Sequence, residues 1–239
     1  MKQYKTMGIV IKRHNFGEAD RMLTIYTHEF GKIKVIAKGV RKTRSKLGGH
    51  LELFYISDFV LHKGKNIDIV SAAHMVKRYK NIEDKKLINY FFGIAELVYF
   101  ATEEREENKA IFNLIDEVLS KIDSSNASVL FCLFELKFYN FLGYHPETSK
   151  CAACSFGLKS GEVSFLYRDG GVICLECAKK KKQSMRISDN TYKILRFAKN
   201  GSVTNLIKIG YTDEIINELS QVIRQMRYEI IERELKSLN

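Results

Sequence analysis

Leu23-Thr24-Ile25-Tyr26-Thr27-His28-Glu29-Phe30-Gly31-Lys32-Ile33-Lys34-Val35-Ile36-Ala37 decides the fold of this 239-residue chain. Leu23 and Ile25 alternate with Thr24 and Tyr26, and Ile33 and Val35 alternate with Lys32 and Lys34. A side-chain period of two places the apolar set on one face of an extended backbone, so the stretch reads as two half-buried strands joined by a turn at Glu29-Phe30-Gly31. Toward the N-terminus, Met7, Ile9 and Ile11 alternate with Gly8, Val10 and Lys12 and end at a turn signal, Asn15-Phe16-Gly17. Toward the C-terminus, Leu51 to Leu61 and Ile67 to Val70 give two more extended runs separated by Lys63-Gly64-Lys65-Asn66. Five short strands in about 75 residues predict a small closed barrel.

An oligonucleotide-binding (OB) barrel has that strand number and size, and it holds single strands in a basic groove with aromatic platforms. The charge agrees. Residues 36 to 49 carry Lys38, Arg41, Lys42, Arg44 and Lys46 between Gly39 and Gly48-Gly49, with no acidic residue from Gly31 to Leu51. Residues 1 to 80 hold 17 Lys+Arg against 6 Asp+Glu, net +11, which is the whole excess of the chain. Such asymmetry points to a dedicated anion-binding module. Arg13 and Arg21 bracket the first turn and extend the cationic track. Of the aromatics beside it, Phe16, in a turn, and Tyr26, on the polar face of its strand, are the candidates for base stacking.

After Tyr79 the period changes to about 3.6 residues. Helices are predicted through Leu87–Ala101, through Ile111–Ile122, from Ser125 or Asn126 to Leu142, from Ser188-Asp189 to near Gly201, and from Thr212-Asp213 onward. They are expected to form one bundle. Glu103 to Glu107 is an acidic patch read as a solvated helix end or loop. Interrupting the helices, Cys151-Ala-Ala-Cys154 and Cys174-Leu-Glu-Cys177 are two Cys-x-x-Cys knuckles with nineteen residues between them. That spacing lets four thiolates close a tetrahedron around Zn²⁺ with no open position, a structural site of one ion per chain. Val163-Ser164-Phe165-Leu166-Tyr167 reads as a strand of a zinc ribbon, and Lys179-Lys180-Lys181-Lys182 follows as a candidate further phosphate contact. The expected domains are therefore a barrel over residues 1–80, a helical domain over 81–150 and 183–239, and a metal-binding insert over 151–182.

No apolar run reaches the length of about 18 residues needed to cross a bilayer, and no secretory signal follows Met1, so a cytoplasmic protein is expected. In that compartment cysteines bind metal rather than pair, and Cys132, among apolar neighbours, reads as a core thiol. His14, His28, His50, His62, His74 and His145 form no ligand spacing, there is no phosphate-binding loop for ATP, and no catalytic residue is assigned.

Three stretches together resemble the RecO family of bacterial recombination mediators. They are Gly17-Glu18-Ala19-Asp20 with Leu23 to Thr27 and Gly31-Lys32; Ala37-Lys38-Gly39-Val40-Arg41-Lys42 with Ser45-Lys46; and Leu136 through Gly143-Tyr144-His145-Pro146 into Cys151-x-x-Cys154, closed by Gly170 to Cys174. The resemblance implies an α+β protein with an N-terminal OB barrel, a C-terminal helical domain and a zinc knuckle. It also implies binding of single- and double-stranded DNA, annealing of complementary strands, work at the nucleoid with RecR, docking of the acidic tail of single-strand-binding protein, and indirect assistance to RecA. Two other functions are weighed against it. A zinc-ribbon adaptor would act only through protein partners. A metal-dependent nuclease would need more carboxylates near the groove than Glu18 and Asp20.

Overall fold

The structure is a computed structural model describing residues 2–238. It opens with five strands, β1 (Gln3–Phe16), β2 (Asp20–Thr27), β3 (Gly31–Ala37), β4 (Ile56–His62) and β5 (Asp68–Lys77), closed into a barrel in the order β1-β2-β3-β5-β4. Closure depends on β1 serving two partners. Residues from Gln3 to Ile9 pair antiparallel with β4, and residues from Gly8 to Phe16 pair with β2, with an irregularity between Val10 and Lys12 that bends the strand. The parallel β3–β5 contact completes the circuit through Val35 with Asp68 and Ile36 with Ile69. Val10, Leu23, Ile25, Ile33, Val35, Phe59 and Leu61 fill the interior, as the alternation requires.

Two helices, α1 (Ile88–Ala101) and α2 (Lys109–Lys121), belong to the same compact unit as the barrel, which comprises residues 1–124 and 235–239. The other compact unit begins at residue 125. Phe54 packs edge-on against Phe91 and His28 against Phe112, and Tyr79 donates to the Asp116 carboxylate at 2.9 Å. The buried ammonium of Lys32 donates to the carbonyls of Tyr99, at 2.5 Å, and of Thr102, capping the C-terminal end of α1 where the helix dipole favours a cation.

That arrangement corrects the expectation for Tyr26. Its side chain is fully buried and its hydroxyl donates to the Asn108 carbonyl at 3.4 Å, so no base can reach the ring. Period two assigned it to the solvent face; α1, α2 and the segment between them cover that face, and β2 is buried on both sides from Leu23 to Thr27. The acidic stretch 103–107 is exposed yet docked. Glu104 pairs with Lys34, Arg105 donates to Lys32 O through its backbone at 2.9 Å, and its guanidinium reaches Asp68 at 2.7 Å. Gly31, at φ +62°, is required there: a Cβ would lie 1.8 Å from the Glu106 carbonyl oxygen.

The second unit, residues 125–234, packs α3 (Ala127–Phe141) with α5 (Asp189–Ala198), α6 (Val203–Leu206) and α7 (Asp213–Ile231). Helix α3 is apolar almost all round and is buried along most of its length. Its buried Glu135 accepts from Nε and Nη2 of Arg227, at 2.9 and 2.5 Å, and from the Tyr139 hydroxyl at 3.0 Å. Between α3 and α5 the insert forms a small sheet of β6 (Val163–Leu166), β7 (Gly171–Cys174) and β8 (Met185–Arg186), with the short helix α4 (Leu175–Lys179) after the second knuckle. No helix among the described residues is long and apolar enough to cross a membrane.

Candidate nucleic-acid interface and metal centre

Beyond Ile11 the β1–β2 hairpin runs out of the barrel as an arm whose β1 side is mostly exposed, carrying Lys12, Arg13, His14 and Phe16, with Arg21 on the returning strand. The β3–β4 loop lies against this arm. Val40, 4% exposed, and Leu51, fully buried, anchor the loop in the barrel core, and Leu47 packs on the same core. The Gly39 N–H donates to the Asp20 carboxylate at 2.7 Å and the Arg41 N–H to the Ala19 carbonyl at 2.9 Å. Apolar anchors inside and two hydrogen bonds at the edge fix the loop, and every cation is left on its outer side.

The five loop cations, Lys38, Arg41, Lys42, Arg44 and Lys46, are all exposed. Arg41 is partly spent on structure, since its guanidinium donates to the carbonyls of Glu18, at 3.1 Å, and Gly17, at 3.4 Å. Lys38, Lys42, Arg44 and Lys46 have no carboxylate partner among the described residues. Arg13 and Arg21 differ, because both pair with the Glu52 carboxylate, the latter at 3.3 Å. Glu52 is the first acid after the loop in sequence and returns to face the hairpin in space, so the track is not uniformly free. Phe16 is 46% exposed at the tip of the arm. The β2–β3 face, which binds oligonucleotides in OB barrels, is here taken by the segment from Tyr99 to Asn108, while the arm and the loop stay accessible. Asp20 had no assigned role from sequence; an acid next to the cationic candidate Arg21 is a signal only once β2 and the loop at Gly39 are known to meet.

The second cluster is the four cysteines. Sγ of Cys151, Cys154, Cys174 and Cys177 all lie within 4.8 Å of one another, with Cys154 and Cys174 at 3.9 Å. A disulfide needs about 2.05 Å, whereas thiolates at about 2.3 Å from a central ion stand roughly 3.8 Å apart, so the set fits metal coordination and not oxidation. Burial by itself would raise the Cys151 thiol, but backbone N–H groups of Cys174, Cys154 and Ala153 bring it down to about 6. Cys177, hydrogen-bonded to the sulfurs of Cys154 and Cys174 and close to the Cys151 thiolate, is pushed up to about 12. Four packed thiols cannot all ionise without a cation, and a divalent ion reverses that penalty. Cys132 stands apart in α3, where burial pushes its thiol up to about 11. Of the lysine run, Lys179 pairs with Glu176 at 2.6 Å and Lys181 with Asp169 at 2.8 Å, while Lys180 and Lys182 are exposed.

The chain matches two family models, "Recombination protein O N terminal" over residues 1–79 and "Recombination protein O C terminal" over residues 86–239. Among curated relatives it is 35% identical to a DNA repair protein RecO of Dehalococcoides mccartyi, covering 98% of this chain and 93% of the relative. A protein of the same name from Desulforamulus reducens is 30% identical over 99% and 93%, and one from Listeria welshimeri is 33% identical over 80% and 75%.

Proposed function

We propose that this chain, which belongs to the recombination protein O family of DNA repair proteins, is a non-enzymatic DNA-binding mediator of recombinational repair. It binds single- and double-stranded DNA, anneals complementary strands and, with RecR, assists loading of RecA on strands coated with single-strand-binding protein, whose acidic tail it engages. The observation that carries this is the row of exposed, unpaired cations Lys38, Lys42, Arg44 and Lys46, clamped onto the hairpin arm by Asp20.

Two strands resist meeting because their phosphates repel and their counterions are condensed. Cations on a fixed loop displace those counterions without contacting base edges, so the surface accepts any sequence and leaves the Watson–Crick edges free to pair. Arg41 contributes charge and holds the loop. Arg13 and Arg21, shared with Glu52, lengthen the track, and Phe16 supplies a stacking face at its end. Lys180 and Lys182 are further phosphate contacts. The all-thiolate set suits Zn²⁺ in a structural role, its four ligands leaving no position for water or substrate.

The test is the salt dependence of oligonucleotide binding. Replacing Lys38, Lys42, Arg44 and Lys46 together with alanine lowers the log–log slope by up to about three, at roughly 0.7 for each lost single-strand phosphate contact, and slows annealing of strands coated with single-strand-binding protein. An unchanged slope moves the site elsewhere. DNA cleavage by the pure protein with magnesium would overturn the non-enzymatic assignment.

A further inference from the structure

We propose that the tip of the cysteine-bound insert is a second single-stranded nucleic-acid contact, with Phe156 as a base-stacking platform and Lys150, Lys159, Lys180 and Lys182 as phosphate contacts. It rests on the function proposed above, in which complementary strands are annealed. Phe156 is 77% exposed, more than any other large apolar side chain described, and its ring has no aromatic neighbour among the described residues. Its backbone, in contrast, is fixed. The Cys151 N–H donates to the Phe156 carbonyl at 2.7 Å, the Ser155 N–H to the Cys151 carbonyl at 2.8 Å, Ser155 sits at φ +63°, and Lys150 bridges to Gly157. A ring held in solvent on an immobile backbone loses little conformational freedom when a base stacks on it.

The four clustered sulfurs bind segment 150–157 to segment 174–180, and the Lys180 N–H donates to the Cys177 carbonyl at 3.1 Å, keeping the lysine run beside the second knuckle. The charges there favour an anion. Of the carboxylates between residues 151 and 182, Glu176 is taken by Lys179 and Asp169 by Lys181; Glu162, and Asp189 held by Ser160 and Gly161, remain against four exposed lysines that have no carboxylate partner among the described residues. The apolar area is one ring and the edge of Leu175, 37% exposed, flanked by Ser155 and Gly157. That is far below what a protein–protein core requires and about the size of one base.

The chain contains no tryptophan, so Phe156→Trp gives a single tryptophan, excited selectively over the tyrosines at their red edge, in the metal-loaded full-length protein. Titration with a dye-labelled oligothymidylate is followed by tryptophan emission and, independently, by anisotropy of the dye. Emission quenched in step with the rise in anisotropy is expected. Phe156→Ala, with metal content unchanged, is expected to weaken binding about tenfold, whereas Phe156→Tyr retains it. Unchanged emission at saturating anisotropy overturns this contact and leaves the proposed function standing. Absence of any anisotropy change sinks that function and the contact with it. Emission that responds to a purified protein partner and not to the oligonucleotide assigns the tip to protein and overturns the inference.

Discussion

The β3–β4 loop and the cysteine-bound insert end alike, in exposed lysines on a short irregular segment, but they are held in place by different physics. The loop hangs from the barrel by Val40, Leu47 and Leu51, whose burial in a closed apolar core fixes it without a cofactor. The insert has a small buried cluster of its own, Cys151, Leu166 and Ile173, and one glycine that close backbone approach requires. This is Gly171, which stands where a Cβ would meet Glu147 backbone atoms at 2.5 Å. A metal ion on the four clustered cysteines would replace there the burial that the barrel obtains from its length. A cationic surface can thus be displayed by either route, and the routes differ in what destroys them.

Metal removal separates the two most sharply. Cys174→Ser, or a strong chelator, releases the metal and unfolds the insert, because structural zinc sites supply on the order of 10 kcal/mol of folding free energy. Hydrogen exchange then rises in β6 and β7 while the β1–β5 amides stay protected; equal protection before and after chelation would show that the cysteines do not hold the insert. Gly31→Ala acts on the other side of the comparison. The new Cβ collides with the Glu106 backbone at a φ that disfavours alanine, so thermal stability of the barrel unit falls by about 2 kcal/mol or more with the metal content unaltered.

Acid sharpens the contrast further. Burial would raise the Asp68 carboxyl, but hydrogen bonds from Tyr4, Arg105 and the Gly64 N–H hold it below its ordinary value. A depressed carboxyl stabilises the fold above its unfolded pKa of about 4, and that contribution is lost as pH falls through the lower folded value. Exchange at β3 and β5 amides therefore rises in this acid range, and Asp68→Asn flattens the dependence; an identical profile in the variant would move the acid lability elsewhere. The smallest effect tests positioning against charge. Asp20→Ala removes an acid from a basic surface yet frees the Gly39 N–H and loosens the loop, so DNA affinity drops about fivefold, the value of one hydrogen bond. Tighter binding would mean that the clamp is unnecessary.

The barrel was legible because alternation survives wherever one face is apolar, as from Leu23 to Ala37, and the cysteine cluster because ligand spacing is a local property of Cys151 to Cys177. Tyr26 was misplaced for the same reason the strand was found. Alternation distinguishes two faces but does not say whether a helix will cover the second, and residues from Tyr99 to Asn108 do. Glu52 and Asp20 were missed as partners of the cationic track because each meets it only after the chain has turned back.

What the sequence determined by itself is the set of periodic or closely spaced features: five strands, the helical runs, four clustered thiols and an excess of charge confined to the first third of the chain. Tertiary structure alone decided which cations are free and which aromatic faces solvent, and that α1 and α2 join the barrel rather than α3. The physical reason is range. Backbone periodicity and ligand spacing act over a few residues, whereas burial and charge pairing depend on groups 30 to 80 positions apart that only the closed fold brings within a few ångströms.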